Sequence, residues 1–175
     1  MTASENREPA ACDVHELVER VVLRLRAEGR LLAVAESLTG GALAATLVDV
    51  PGASAVFRGG AVTYATETKA SVLGVPSRLL LDRGPVDPEV AAAMAAGSAA
   101  LFGADVGVAT TGVAGPDQQG DVPVGTVFTA VVDIVSGVSI VRGASLAGDR
   151  ASIRLQSVQI ALTMILEALD EPGPA

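Results

Sequence analysis

The chain has 175 residues, a formal charge of −8 and a sequence pI near 4.5. That length suits one domain with a sizeable core, and the acidic balance argues against a nucleic-acid or anionic-membrane surface, both of which ask for a basic face. Half of the residues are hydrophobic but only 2% are aromatic, so the core has to be built from Ala, Val and Leu.

Residues 1–12 read as a disordered polar arm with Glu5, Arg7 and Glu8 and no apolar stretch of signal-peptide type. Cys12 is the single cysteine, which excludes an intrachain disulfide and fits a reducing compartment. No run approaches the ~18 apolar residues of a membrane span. The expectation is a soluble, cytoplasmic protein.

Asp13 is placed to cap a helix from Val14 to about Glu28, with Leu17, Val18, Val21, Val22 and Leu25 at helical spacing and Gly29 as its stop. His15, the only histidine, falls in the exposed first turn. A Ser-His-Asp triad would have to use it, and a histidine zinc site has no second member. Leu31 to Ala35 then reads as a buried strand. It runs through Glu36-Ser37-Leu38-Thr39-Gly40-Gly41 into a helix from Ala42 to Val48, closed by Asp49-Val50-Pro51-Gly52. Such a turn lifts a serine onto the carboxyl end of a strand, where open α/β sheets place their ligands. One reading of Ser37 or Thr39 is a plain helix cap. The other is a nucleophile at Ser37 with the Gly40 and Gly41 N–H groups as an oxyanion hole.

Ala55 to Tyr64 reads as a strand with a bulge or close backbone approach at Gly59-Gly60. A short helix from Thr66 to Leu73 follows, with Thr66 as its expected cap and Gly74 as its stop. Leu79 to Leu81 is a short helix or turn. Asp87-Pro88-Glu89 has the form of a helix start, and the Ala-rich helix from Pro88 to Phe102 is suited to close packing. A buried strand, Asp105 to Thr110, runs into Thr111-Gly112-Val113-Ala114-Gly115-Pro116, which is either a plain turn or a phosphate cradle. Asp117 to Asp121 is a polar loop. Val124 to Val135 and Val138 to Leu146 form a hairpin around Ser136-Gly137. A last, largely buried helix begins near Gly148-Asp149-Arg150. Arg150 and Arg154, one helical turn apart, either share a phosphate or are solvated. Alternating strands and helices with a late hairpin define a three-layer α/β/α sandwich around a mixed sheet. The domain is expected over 13–170, with a flexible tail at 171–175.

Lys69 is the only lysine among twelve basic residues, and Tyr64 is the only tyrosine. A lone lysine in an arginine-rich chain points to a task arginine cannot perform, such as losing a proton near neutral pH. Serine needs an adjacent base, and with histidine out of reach the remaining base is an amine kept unprotonated by burial or by a neighbouring positive field. The field of a helix N-terminus is expected to lower the Lys69 pKa. Ser37, Lys69 and Tyr64 together suit acyl transfer, with Tyr64 assisting proton transfer. The alternatives are a surface lysine and an edge-strand packing tyrosine.

Five motifs in this order carry a resemblance. They are Ala35 to Gly41, Val62 to Lys69, Thr111 to Pro116, Pro123-Val124-Gly125-Thr126-Val127 and Gly148-Asp149-Arg150. They resemble the CinA C-terminal domain family, the competence/damage-inducible proteins, whose active stand-alone members are nicotinamide mononucleotide (NMN) deamidases. The resemblance spans about residues 13 to 170. It implies an α/β/α sandwich, commonly dimeric, that hydrolyses the amide of NMN to nicotinate mononucleotide and ammonia. The family's serine, tyrosine and lysine fall on Ser37, Tyr64 and Lys69. Thr39, Gly40, Gly41, Thr111, Gly112, Ala114, Gly115 and Arg150 are the expected substrate contacts, with no metal or cofactor. The N-terminal domain of full-length members, with its pyrophosphatase activity, is expected to be absent. Three positions depart from the family pattern: Leu38 replaces the usual Cys and is expected to face the core, Arg58 is displaced by one, and Arg83-Gly84-Pro85-Val86-Asp87 replaces a loop that often carries histidine. The rival readings are a non-catalytic pyridine-nucleotide-binding or regulatory protein and a role in DNA uptake or repair, which fits the charge poorly.

Overall fold

In the computed structural model, which describes residues 13–171, helix α1 (Val14–Glu28) forms where the apolar spacing puts it. Asp13 accepts the His15 N–H at 3.2 Å, and Leu17, Val18, Val21, Val22 and Leu25 make its buried stripe. Gly29 ends it in the left-handed conformation, φ 64°, which a side chain would disfavour. The expected arm over 1–12, Cys12 and residues 172–175 of the expected tail lie outside the described residues.

The remaining elements in chain order are β1 (Leu32–Glu36), α2 (Ala42–Val48), β2 (Phe57–Val62), α3 (Thr66–Leu73), α4 (Ser77–Arg83), α5 (Pro88–Phe102), β3 (Val106–Gly112), β4 (Thr126–Asp133), β5 (Val138–Ser145) and α6 (Arg150–Asp170). The strands build one sheet in the order β2-β1-β3-β4-β5. β1 is parallel to β2 and β3, whereas β4 pairs antiparallel with β3 and with β5. The chain therefore leaves β1 for β2 on one side and returns to β3 on the other, which makes the carboxyl end of β1 a switch point.

Two adjacent rungs of the sheet explain the three layers. Val34, Val108 and Val131 lie side by side and pack into one core with α1, α2 and α6. The next rung, Ala35, Ala109 and Ala130, faces the opposite way, onto α3 and α5. Valines on one face and alanines on the other let α5 lie close against the sheet. The approach is tight enough that a Cβ added at Gly107 would sit 2.0 Å from the Ala95 carbonyl oxygen. The mixed sandwich follows from this pattern.

Some boundaries differ from the sequence reading. β2 starts at Phe57 because Ala53–Ala55 coil into a 3-10 turn, and its register slips beside Leu32, where Arg58 is the extra residue. β3 continues through Thr111 and Gly112, which pair with Phe128 and Val127. The stretch around Leu79 is a full helix, α4. Ala65, not Thr66, occupies the cap position of α3, and no side chain caps it.

Candidate active site

The three parallel strands end at one edge of the sheet. Ser37 follows β1, Thr63 and Tyr64 follow β2, and Gly112 closes β3. Ser37 is held there by its backbone N–H, which donates to the Thr110 carbonyl at 3.0 Å, while the Thr63 N–H donates to the Glu36 carbonyl at 2.8 Å. The strand ladder thus extends one residue beyond β1 and β2 and fixes the start of both turns.

Lys69 lies one turn into α3 and points inward, with 1% of its surface exposed. Its Nζ donates to the Thr63 carbonyl at 2.6 Å and lies 3.0 Å from Ser37 Oγ. Among the described residues no carboxylate bonds it. Burial alone pushes its pKa down from 10.5 to about 8, because the charged form loses its hydration. Of the two expected causes, burial and a neighbouring positive field, burial is the one that lowers it. Ser37 is 9% exposed, so the pair sits at the floor of a cleft rather than on open surface.

That cleft has a volume of about 280 Å³ and is lined by Ser37, Leu38, Tyr64, the turn from Gly112 to Gly115, the loop Asp117-Gln118-Gln119, and Arg150. A larger groove of about 610 Å³ between α3 and α4 contains no nucleophile–base pair. Arg150, the first residue of α6, spans the cleft mouth. Its guanidinium donates to the Gly115 carbonyl at 2.6 Å and to the Tyr64 hydroxyl at 2.7 Å. Tyr64 is 58% exposed, and its hydroxyl bonds Arg150 rather than Ser37 or Lys69.

Of the expected site residues, Ser37, Tyr64, Gly112, Ala114, Gly115 and Arg150 line this cleft, and Lys69 lies buried behind it, in contact with it through Ser37 Oγ. Thr39, Gly40, Gly41 and Thr111 do not line it. Thr39 is fully buried, its hydroxyl 2.7 Å from that of Thr110 and its carbonyl taken by Arg154, so Arg154 does not join Arg150 over a shared anion. The Gly40 N–H donates to the Ser37 carbonyl at 3.1 Å, and the Gly41 N–H donates to the Glu36 carboxylate at 3.0 Å. Neither is free for an oxyanion hole. The Thr111 hydroxyl donates to the Pro85 carbonyl at 2.7 Å, on the α5 side of the sheet, because β3 runs two residues further than its sequence suggested.

Ser37 and Thr39 do not cap α2. Glu36 does so, at 1% exposure, accepting from Gly41, Leu43 and Ala44. Sequence reasoning passed over Glu36, although an acidic residue just before a helix N-terminus is a readable signal. It also passed over Asp117, Gln118 and Gln119. Leu38 faces the core, against Ala114, Val127 and Ile153. Arg58 donates to the Phe102 carbonyl and Arg83 pairs with Glu89, so neither departure falls in the cleft. Among the described residues no His/Cys/Asp/Glu cluster could hold a metal ion, and no helix is long and apolar enough to cross a membrane.

Comparison with known proteins identifies the family. Residues 14–169 match the CinA C-terminal domain. A CinA-like protein from Frankia casuarinae is 52% identical over 153 residues, 87% of this chain and 35% of the relative, and one from Geobacter sulfurreducens is 45% identical over 87% of this chain and 37% of the relative. The chain spans about a third of the length of these curated relatives. Among solved structures, the competence/damage inducible protein CihA from Agrobacterium tumefaciens superposes with a TM-score of 0.86 at 34% identity, over 98% of this chain and 100% of that one. A competence-damaged protein (CinA) superfamily protein from Escherichia coli superposes with a TM-score of 0.86 at 30% identity, over 96% and 99%. The chain belongs to the CinA C-terminal domain family.

Proposed function

We propose that the protein is a serine amidase that hydrolyses the nicotinamide amide of NMN to nicotinate mononucleotide and ammonia. The observation that carries this reading is the buried Lys69 amine 3.0 Å from the Ser37 hydroxyl, with a pKa of about 8. As an ammonium, Lys69 donates to both Ser37 and Thr63. Once deprotonated it keeps the bond to Thr63 and turns its lone pair on the Ser37 hydroxyl, which is the arrangement a general base needs.

Ser37 Oγ attacks the amide carbon as its proton passes to Lys69. The tetrahedral oxyanion needs donors with no other acceptor. Among the described residues the Leu38 N–H bonds no protein oxygen, and Leu38 lines the cleft, so it is the donor of choice in place of Gly40 and Gly41. Collapse breaks the C–N bond while Lys69 returns its proton to the leaving nitrogen, releasing ammonia and leaving a Ser37 ester. Water, deprotonated by Lys69, then attacks the ester carbon, and as the C–O bond breaks Lys69 returns that proton to Ser37 Oγ, giving the acid and the free serine. Arg150 is suited to the substrate phosphate, exchanging its bonds to Gly115 and Tyr64 for stronger charge-assisted ones. Tyr64 then acts at the mouth, beside Arg150, rather than in a proton chain. The family resemblance supports the same substrate.

The test is ammonia release from NMN by the parent and by Ser37→Ala. The reading expects release by the parent alone. Full activity in Ser37→Ala, or tight NMN binding without turnover in the parent, would sink it.

A further inference from the structure

We infer that Glu36 is the residue that positions the nucleophile. It touches no substrate, so its part is to hold the Ser37 turn in its reactive shape. The inference rests on the serine amidase reading for its rate consequences, but its geometry is independent of any substrate.

A carboxylate almost fully removed from water is costly unless its oxygens are met by strong donors. Among the described residues no cation forms an ion pair with Glu36. Its Oε2 accepts the N–H groups of Gly41 and Leu43, both at 3.0 Å, and its Oε1 accepts that of Ala44 at 2.8 Å. These are charge-assisted bonds. They tie the last residue of β1 to positions five, seven and eight residues downstream. The main chain of Glu36 is gripped from the other side, since its carbonyl accepts the Thr63 N–H, and the next carbonyl of that strand end, Thr63 O, receives the Lys69 amine. One residue thus joins the turn that carries Ser37 to the turn that carries Lys69.

Strand alternation explains the division of labour. Leu32, Val34 and Glu36 face α2 and α6, and Ser37, one residue on, faces the cleft. The carboxylate works behind the nucleophile, out of reach of the substrate. It also engages the Gly41 N–H, which is therefore not free to serve an oxyanion. The Thr39–Thr110 hydroxyl contact and the Arg154–Thr39 bond brace the same turn, so the turn is held at several points and its geometry is preset before substrate arrives.

Glu36→Gln keeps the side-chain shape but turns an NH₂ group towards backbone donors that both carboxylate oxygens now serve. In variant protein shown to be folded by thermal melting, the rate at which a fluorophosphonate labels Ser37 and the kcat for NMN should both fall, by roughly tenfold to a hundredfold. KM should be little changed, as for an interaction that serves the transition state rather than binding. A purely structural role would lower the melting temperature and leave labelling of the folded protein intact. Folded Glu36→Gln that labels at the parent rate overturns the inference. If Glu36→Gln fails to fold, Glu36→Asp carries the test, since it keeps the charge and shortens the reach. It must label Ser37 more slowly than the parent, and an unchanged rate overturns the inference. A parent that labels at Ser37 but releases no ammonia from NMN sinks the amidase reading and leaves the labelling comparison standing. A parent that does not label overturns both.

Discussion

The Lys69 amine and the Ser37 hydroxyl stand 3.0 Å apart although 32 residues separate them in the chain. Two parallel strand ends bring them there, and the Thr63 carbonyl holds the amine in place. Because only burial lowers the Lys69 pKa, to about 8, the amine is mostly protonated at neutral pH and the reactive fraction grows with alkalinity. The rate of ammonia release, as kcat/KM, is expected to rise close to tenfold per pH unit below about 8 and to level above it. A profile flat from pH 6 to 9 would remove Lys69 as the base.

The same burial makes the lysine a cost to the fold. Below about pH 8 the amine is charged in both the folded and unfolded chain, and the folded state bears the whole penalty. Between 8 and 10.5 the unfolded chain still binds a proton that the folded chain has lost, so stability rises with pH and levels above 10.5. The parent is therefore expected to gain roughly 3 kcal/mol relative to Lys69→Met across that window, measured by urea unfolding at pH 7 and at pH 10.5. Lys69→Met is expected to lose amidase activity while gaining stability at neutral pH, the trade-off expected of a buried catalytic base.

Arg150 is expected to matter for binding and little for the chemical step. Arg150→Ala should raise KM for NMN by roughly tenfold to a hundredfold, the value of a hydrogen bond to a charged group. It should have a much smaller effect on nicotinamide riboside, which lacks the phosphate. Equal losses on the two substrates would assign Arg150 to the pocket wall rather than to the phosphate.

At the far end of the sheet, Asp133 is 1% exposed and pairs with Arg30. Burial opposes its charge, but hydrogen bonds from Ser136, Val135 and Arg30 outweigh it and hold the carboxyl below the usual aspartate range. Its stabilisation is present at neutral pH and lost as pH falls through that lowered value. Asp133→Asn should cost about 3–5 kcal/mol at pH 7, as for one partner removed from a buried pair, and the gap to the parent should shrink by pH 2. Urea unfolding at both pH values checks the sign.

Much of the fold was legible because its signals are local. The α1 stripe, the helix start at Asp87-Pro88 and the hairpin at Ser136-Gly137 each follow from spacing or turn chemistry. The site was legible where composition spoke, in a lone lysine and a serine at a strand end. What stayed hidden depends on which way a side chain faces once a strand has ended. Two extra residues on β3 send Thr111 towards Pro85 instead of the cleft, and a one-residue difference in register reverses a side chain's face. Glu36 and Ser37 are neighbours with opposite tasks for the same reason. The bond from Arg150 to Tyr64 joins residues 86 apart, and no local pattern announces it.

In the proposed mechanism a neutral Lys69 amine activates Ser37 for amide hydrolysis. The direct measurement is ammonia release from NMN by the purified protein beside Lys69→Arg, which keeps the positive charge but cannot supply a neutral amine. Turnover is expected in the parent and its loss in the variant. Full turnover in Lys69→Arg, or none in the parent, would contradict it.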